Sequence, residues 1–376
     1  MSRKAPVTAQ QVARLAGVSP TTVSFVLNDV RDQGIRPATR QRVLEAAARL
    51  GYQPNANARS LASGSTATVA LVVPRLDHLY DDHFLAQLLA SVNAECHRFG
   101  LKLLLESAEH DSATATGFVS LARTRRIDGL IVVNPRQDQL VPLAAVAAAG
   151  IPLVLLGQAA AAEAQTGARC VGQDTRIGAR LAVSHLIGLG HMAIAYIGFA
   201  GRAYVADAER EQGWRDTLTA AGIAPRDDLL EFGALSAISG YQAMQRLLAA
   251  GGRPTALFAG NDTIAFGALR ALQEAGWAVP QDCAVVGYDD IPLAAFAAPA
   301  LTTVRTDALA HGRIAMQALA GLLGLSAAPS VTVTATATPS ALNADANPVP
   351  ALVAATLPAP ELIVRASCGV RRPAAG

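Results

Sequence analysis

The sequence predicts a small all-α head joined by a short helical linker to a larger α/β core. Apolar residues recur at helical spacing over the first fifty positions, and beyond Thr68 short apolar runs alternate with helical patterns. Of the 376 residues, 51% are apolar and 16% are charged, which is typical of a chain with sizeable buried cores. The α/β part of about 270 residues exceeds one core, so two lobes are expected there.

Two short helices around a tight turn are predicted near the amino terminus. Thr8 can cap the first helix, since Gln11 follows three places later in the spacing of a capping box. Gly17 can adopt the left-handed conformation that ends this helix and turns the chain. Ser19 then caps a second helix whose first turn holds Pro20, a residue favoured at that position. The pattern predicts a helix-turn-helix.

The outer face of the second helix is small and mostly polar, because Val23, Val26 and Leu27 turn toward the first helix. The residues left on the outside are Pro20, Thr21, Thr22, Ser24, Phe25 and Asn28. Hydroxyl and amide groups of this kind can reach base edges and phosphates in the major groove of DNA.

A third helix is predicted over residues 37–50 and is closed by Gly51, so that three helices form one small domain. Residues 1–61 carry nine basic and three acidic side chains, a net charge of +6, whereas the whole chain is only +2. This concentration of basic charge favours contact with nucleic-acid phosphates.

The segments VTAQQVARLAGVSPTTVSFVLN and TRQRVLEAAARLGYQPNANARSLASG resemble the head and hinge of the LacI/GalR (lactose-repressor) family of bacterial transcriptional regulators. The resemblance implies a helix-turn-helix DNA-binding domain over residues 1–53 and a hinge helix with its linker over 54–67. It also implies an effector-binding and dimerisation core over 68–376, with the two-lobed α/β fold of a type I periplasmic-binding-protein-like domain.

Within the head, the resemblance makes Pro20, Thr21 and Phe25 the positions that choose the operator sequence. Phe25 departs from the polar residues that are frequent there, so we expect it to contact a thymine methyl or a sugar. The alternative is that Phe25 packs inward, as a lone aromatic at helical spacing commonly does. The full set of implied DNA contacts in the head is Thr8, Ser19, Pro20, Thr21, Thr22, Ser24, Phe25 and Asn28.

The hinge resembles a segment that folds on DNA. Asn55 can cap a short helix that is too short to be stable alone in water. By resemblance, Ala58 lies at the floor of the minor groove, Arg59 contacts phosphate, and Leu61 wedges between the central base pairs. The alternative interpretation is a plain linker.

In the core, unbroken apolar runs predict parallel strands that are covered on both faces. These runs begin at Val69, Lys102, Gly129, Pro152, Ile194, Ala256 and Ala284. The resemblance divides the core into a first lobe of about 68–172 and 302–325 and a second lobe of about 173–301 and 356–372. An inserted loop rich in Ala, Thr, Pro and Ser occupies 326–355.

The resemblance also places an effector site in the cleft between the lobes, at the carboxyl ends of the strands. Arg210 is expected to grip effector hydroxyls or a carboxylate, since its guanidinium presents a fork of donors. Alternatively, Arg210 pairs with a neighbouring glutamate and Asp289 caps a turn. The implied effector residues are Phe84, Leu85, Gln173, Arg202, Arg210, Leu235, Asn261 and Asp289.

Other functional classes are disfavoured by what the sequence lacks. We find no phosphate loop, nucleophile elbow or metal-binding histidine pair, so neither enzyme chemistry nor a cofactor is predicted. The seven histidines and four cysteines show no ligand spacing, and no signal peptide or spanning segment is evident.

The sequence therefore predicts a cytoplasmic, homodimeric repressor that binds a pseudo-palindromic operator and responds to a sugar-like effector, in the control of carbohydrate-utilisation genes. A corepressor-dependent regulator, a regulator with a non-sugar effector, and a small-molecule binding protein without DNA activity are the alternatives.

Overall fold

The structure is a computed structural model that describes residues 7–28, 34–53, 60, 64–76, 79–108, 117–157, 163, 166–325 and 357–369. They form two compact units that divide between Thr66 and Ala67, the first helical and the second α/β. In these ranges, no helix has both the length and the apolar character that crossing a membrane requires.

The head unit contains three helices, α1 (Ala9–Ala16), α2 (Pro20–Leu27) and α3 (Pro37–Leu50). Gly17 has φ of +65°, which is the left-handed conformation that the turn between α1 and α2 requires. Val12, Val23 and Val43, one from each helix, are between 0 and 1% exposed and pack in one small core. Both the helix-turn-helix and the third helix are as predicted.

The first lobe of the core unit is built on a parallel sheet of five strands in the order β2-β1-β3-β4-β5. Its strands are β1 (Thr68–Val73), β2 (Lys102–Ser107), β3 (Gly129–Val133), β4 (Leu153–Leu156) and β5 (Arg169–Val171). The helices that connect its strands are α4 (His83–Arg98), α5 (Gly117–Arg123) and α6 (Leu140–Ala148). Separate apolar clusters cover the two faces of the sheet, which explains the unbroken apolar strands.

The second lobe is built on six strands in the order β11-β10-β9-β8-β6-β7, all parallel except β11. The strands are β6 (Ile194–Gly198), β7 (Leu230–Phe232), β8 (Ala256–Ala259), β9 (Ala284–Asp289), β10 (Thr302–Arg305) and β11 (Glu361–Ile363). Its helices are α7 (Thr175–Gly188), α8 (Val205–Ala220), α9 (Ala237–Ala249) and α10 (Asp262–Glu274). The last helix, α11 (Ala308–Leu322), packs against α4 of the first lobe.

The chain passes between the lobes at residues 172–174, 306–307 and 358–360. The third passage follows from Leu357, which packs on the apolar cluster of the first lobe, while β11 belongs to the sheet of the second. The neighbouring segments touch, since the Gln173 side-chain amide donates a hydrogen bond to the Pro358 carbonyl oxygen. These three segments connect the two lobes.

One predicted lobe boundary is corrected. Residues 302–325 were assigned to the first lobe, but Thr302 pairs with Val286 and Arg305 pairs with Asp289 in the sheet of the second lobe. The chain returns to the first lobe only at α11, which packs on the apolar cluster of that lobe. The sequence Thr-Thr-Val-Arg carries no apolar run, so strand β10 could not be found from hydropathy; the three-residue strands β5 and β7 were missed for the same reason. The predicted inserted loop lies outside the described residues.

Candidate functional site

The head presents the predicted recognition face on helix α2. The Ser19 hydroxyl accepts a hydrogen bond from the Thr22 backbone N–H at 3.1 Å and so caps the helix. In α1, the Gln11 side-chain oxygen accepts from the Thr8 backbone N–H at 2.8 Å, which is one half of a capping box. Pro20 and Thr21, at the start of α2, are exposed.

Phe25 is half-buried but does not belong to the head's apolar core. The partly buried residues that pack on this core are Ala9, Val18, Leu27, Ile35, Leu50 and Tyr52. Ser24 and Asn28 are exposed on the same helix, and the Asn28 amide donates to the Ser24 hydroxyl at 3.3 Å. The alternative of an inward-packed Phe25 is therefore disfavoured. The predicted hinge contacts Asn55, Ala58, Arg59 and Leu61 lie outside the described residues.

In the core, a cavity lies between the two lobes where the parallel strands end. Asn134 follows β3, Gly157 follows β4, Phe199 follows β6, and Asp289 ends β9. Parallel sheets place their ligands at this edge. The complete lining is Asp82, Phe84, Asn134, Leu156, Gly157, Gln173, Thr175, Phe199, Ala206, Arg210, Asn261, Tyr288, Asp289, Thr306 and His311.

Arg210, on α8, is the central polar group of the cavity. Its guanidinium carbon lies 3.7 Å from the Tyr288 ring centroid and 4.7 Å from that of Phe199, so the cation is held between two aromatic rings. One terminal nitrogen donates to the Gly260 carbonyl oxygen. Its Nε is buried and has no hydrogen-bond partner among the described residues. A buried donor without a partner is costly, which favours a ligand acceptor at this position.

Asp289 faces Arg210 at a distance of 3.9 Å between the carboxylate and the guanidinium nitrogen. Burial raises the pKa of Asp289 well above its ordinary range, although the positive charge of Arg210 acts in the opposite direction. Its backbone has φ of +110°, a conformation that non-glycine residues rarely adopt. Strained backbone and a perturbed carboxyl in one cavity are typical of functional sites. The alternative that Asp289 only caps a turn leaves both features unexplained.

The Tyr288 ring packs against helix α7 at Gly178. At Gly178, an added Cβ would lie 2.5 Å from the Tyr288 hydroxyl, so only glycine permits the ring to pack there. Burial raises the pKa of Tyr288 to about 12, and the phenol is therefore neutral. Tyr288 thus offers Arg210 an uncharged ring face.

Asn261 and Asp262 bring two polar groups to the start of helix α10. The Asn261 side-chain oxygen accepts from the Ile264 backbone N–H at 2.8 Å and caps the helix. Asp262, which is fully buried behind the cavity, accepts from the Thr303 hydroxyl at 2.6 Å and from the Ile291 N–H at 2.9 Å. Asn261 therefore combines a structural role with a place in the cavity wall.

The first lobe contributes an aromatic and largely uncharged wall. Phe84 and His311 meet edge to face, with ring centroids 6.0 Å apart. The His311 Nδ1 lies 2.7 Å from the Asp307 carbonyl oxygen, and burial lowers the pKa of His311, so the neutral imidazole is favoured. Gly157 has φ of +86° and leaves room for the Asn134 side chain.

Five of the eight predicted effector residues lie together in this cavity, namely Phe84, Gln173, Arg210, Asn261 and Asp289. The other three are not among the residues that line the cavity. Leu85 and Leu235 are 5 and 7% exposed and pack in the apolar cores of the first and second lobes. Arg202 lies on a loop and forms a bidentate ion pair with Glu211, with both contacts at 2.7 Å.

Several lining residues were missed by sequence reasoning. They are Asp82, Asn134, Leu156, Gly157, Thr175, Phe199, Ala206, Tyr288, Thr306 and His311. Asn134 and Phe199 directly follow apolar strands, so the ends of the apolar runs were the available signal for them. Thr306 follows β10, whose sequence has no apolar run, so this signal was absent there. His311 comes from α11, and no local pattern connects it with the other residues. Across the described ranges, no cluster of His, Cys, Asp or Glu could hold a metal ion.

Comparison with known proteins identifies both units. Residues 8–55 match the family described as bacterial regulatory proteins, lacI family, and residues 183–340 match the periplasmic binding protein-like domain. The transcriptional repressor PurR of Mannheimia succiniciproducens is 32% identical over 324 residues, covering 83% of this chain and 90% of PurR. The transcriptional regulator GalS of Salmonella typhimurium is 34% identical over 335 residues, covering 85% of this chain and 92% of GalS.

Solved structures agree with these relatives. The lac repressor dimer bound to operator and an anti-inducer has a TM-score of 0.77 at 29% identity and covers 97% of this chain and 100% of that chain. The complex of the regulator CelR with cellobiose has a TM-score of 0.64 at 31% identity, with coverages of 96 and 99%. The chain belongs to the lacI family of bacterial transcriptional regulators, with a DNA-binding helix-turn-helix head and a two-lobed core that binds a small-molecule effector.

Proposed function

We propose that this protein is a cytoplasmic homodimeric repressor of carbohydrate-utilisation genes, and that a sugar-like effector releases it from a pseudo-palindromic operator. The observation that carries the effector class is Arg210. The Arg210 guanidinium is held between two rings, and its Nε has no partner among the described residues. It lines one cavity with Asn261 and Asp289, and this combination matches a ligand that is rich in hydroxyl acceptors and donors. The related regulator CelR was solved with cellobiose.

The recognition face of α2 supports operator reading. Thr21, Ser24 and Asn28 present hydroxyl and amide groups on an exposed face, and Phe25 adds an apolar surface outside the core. In a dimer, two such helices enter successive major grooves of one operator. The wedge assigned to Leu61 remains a prediction.

An exposed apolar face of the second lobe supports the homodimer. Phe296 is 85% exposed, and the adjoining Ala297 lines a groove with Phe266, Leu269 and Trp277. We assign a second copy of this chain as its occupant, because the similar lac repressor was solved as a dimer.

The size of the cavity indicates how an effector could change the affinity for the operator. Its volume is about 60 Å³, whereas pockets for small organic ligands usually have about 300–1,000 Å³. A sugar therefore enters only when the lobes separate or the lining side chains rearrange. A change in the angle between the lobes alters the spacing of the two hinge segments in the dimer, and operator affinity falls.

Thermal unfolding of the full-length protein tests the effector assignment, with cellobiose and a panel of other mono- and disaccharides as probes. A saturating effector at 100 times its Kd stabilises the folded protein by about 2.7 kcal/mol, and the melting temperature rises accordingly. If no saccharide at millimolar concentration raises it, while a charged metabolite does, the sugar assignment is wrong.

Operator binding is tested separately, by enriching duplexes from a random DNA pool with the full-length protein. We expect a pseudo-palindromic consensus, and addition of the stabilising saccharide should release the enriched duplex. An enriched sequence with one half-site, bound by a monomer, would contradict the dimer; no enrichment would contradict operator binding.

A further inference from the structure

The two lobes also meet away from the three crossing segments, at a loop of the second lobe. Arg136, which follows β3 in the first lobe, forms an antiparallel backbone bridge with Tyr204. Next to it, the Gln137 backbone N–H donates to the Ala203 carbonyl oxygen at 2.9 Å. A hydrogen-bonded bridge of this kind must break when the lobes separate at this position.

Side chains reinforce the bridge. The Arg136 guanidinium carbon lies 5.6 Å from the Tyr204 ring centroid, within the range of a cation–π contact. Arg136 is only 25% exposed, and its guanidinium is fixed by two hydrogen bonds to Asp138 at 3.0 and 3.1 Å. The cation is thus held over the ring by its own lobe, and little side-chain entropy is lost when the contact forms.

The other end of the loop is anchored on helix α8. The Asp207 carboxylate accepts from the Ala200 N–H at 2.8 Å and from the Gly201 N–H at 2.6 Å. Glu211, which is 7% exposed at its side chain, pairs with Arg202 at 2.7 Å and with Arg215 at 2.9 Å. Two buried carboxylates of one helix therefore hold three consecutive residues of the loop.

Asp207 and Glu211 flank Arg210 on α8, so the loop is attached to the same turns that present the central cation of the cavity. The loop is therefore joined to these turns by short, partly buried hydrogen bonds. A second contact between the lobes, from the Thr263 hydroxyl to the Asp81 carbonyl oxygen at 3.3 Å, lies at the start of α10.

From this geometry we infer that the loop from Ala200 to Tyr204 is an interlobe clasp, which holds the cleft closed and couples its opening to Arg210 through Asp207 and Glu211. The clasp holds the lobes close together, and the cavity between them is small as a result. The consequence for effector entry rests on the proposed function, whereas the clasp itself rests only on the contacts between the lobes.

Hydrogen exchange of the full-length protein without ligand tests the clasp directly, because the Gln137 amide bonds across the lobes. Tyr204→Ala removes the ring, and we expect the Gln137 amide to exchange about fivefold faster, with a larger radius of gyration in solution scattering. The Asn134 amide, which bonds to Leu156 inside the first lobe, should be unchanged. Tyr204→Phe keeps the ring and should exchange within about twofold of the wild type.

The chain offers a matched control for a second variant, Arg136→Ala. Arg226 pairs with Asp228 at the start of a short helical turn, as Arg136 pairs with Asp138, but it has no partner in the other lobe among the described residues. Arg136→Ala should accelerate exchange at Gln137 and enlarge the molecule, whereas Arg226→Ala should affect only the Leu229 amide of its own turn.

Unchanged Gln137 exchange in a folded Tyr204→Ala or Arg136→Ala protein overturns the clasp. Equal enlargement in Arg226→Ala would show a general loosening and would overturn it as well. Because no ligand is present, these results are independent of whether a saccharide binds.

Discussion

The head and the core place their functional side chains in opposite environments. On the head, Thr21 and Ser24 are exposed on a helix whose position is fixed by caps and by a core of small apolar residues. In the core, Arg210 and Asp289 are buried between two lobes, and each is held by groups from distant parts of the chain. A surface that meets DNA can be built locally, whereas a cleft that encloses a ligand needs convergence of many elements.

This contrast has an energetic side. The exposed face of α2 costs the head little, because its hydroxyls remain in water until DNA replaces that water. The cleft instead contains unfavourable features in the folded protein. The Arg210 Nε is a buried donor without a partner among the described residues, and Asp289 combines a raised carboxyl pKa with a strained backbone. Substitutions in the head should therefore change binding with little effect on stability, while substitutions in the core should change both.

The largest effect is expected for Arg210→Ala. It removes the unpartnered donor and the cation between Tyr288 and Phe199, so the thermal shift produced by the stabilising saccharide should disappear, a loss of affinity of about 100-fold or more. Arg226→Ala is the control, since this exposed arginine pairs with Asp228 in its own turn and does not line the cavity. A full thermal shift retained by Arg210→Ala would remove Arg210 from the effector site.

The next largest effect is the pH dependence of the free energy of unfolding, which we attribute to Asp262. Burial raises the pKa of Asp262 to about 7 from 3.8, although hydrogen bonds from Thr303 and Ile291 act in the opposite direction. Between these values the folded protein retains a proton that the unfolded chain has released, so the free energy of unfolding falls as the pH rises from about 4 to 7. Asp262→Asn should remove this contribution, which is on the order of a few kcal/mol.

Urea unfolding of the full-length protein at pH 5 and pH 8 measures this difference. The amide oxygen that Asp262→Asn introduces can still accept from the Ile291 N–H, so the fold is expected to persist. Asp282→Asn is the control, because this exposed carboxylate accepts only from the Ala278 backbone in the described structure. An undiminished pH dependence in Asp262→Asn would show that another group is responsible.

The smallest effect is expected in the head. Phe25 lies outside the apolar core, so Phe25→Ala should weaken binding to the enriched operator about tenfold while leaving the unfolding of the head unchanged. Leu15→Ala, at a residue that is 45% exposed on α1, is the matched control. If Phe25→Ala destabilises the head while the ratio of specific to nonspecific DNA affinity stays constant, Phe25 is a packing residue and the contrast between the units weakens.

Prediction from sequence succeeded where the signal is local. Caps at Thr8 and Ser19, the turn at Gly17 and helical apolar spacing defined the head, because each depends on residues a few positions apart. The apolar strands of both lobes were found in the same way. Strand β10 was not, because its polar Thr-Thr-Val-Arg sequence becomes a buried strand only beside β9.

The cleft shows the limit of the same approach. Arg210, Asn261 and Asp289, which resemblance assigned to one site, line one cavity, and the strand ends explain why they meet there. Arg202 is not among the lining residues, and its loop is held on α8 by an ion pair with Glu211. No sequence pattern predicts the ion pair between Arg202 on the loop and Glu211 on the helix. Nor does any pattern predict that Tyr204 lies against Arg136 of the other lobe.

By itself, the sequence determined the helical head, its exposed recognition face, the parallel strands and the family, since these depend on local propensity and on apolar periodicity. Only the tertiary structure decided which polar groups share the cleft, how Arg210 is held between two rings and where the lobes touch. These features arise from contacts between residues far apart in the chain, and their energies depend on burial that exists only after folding.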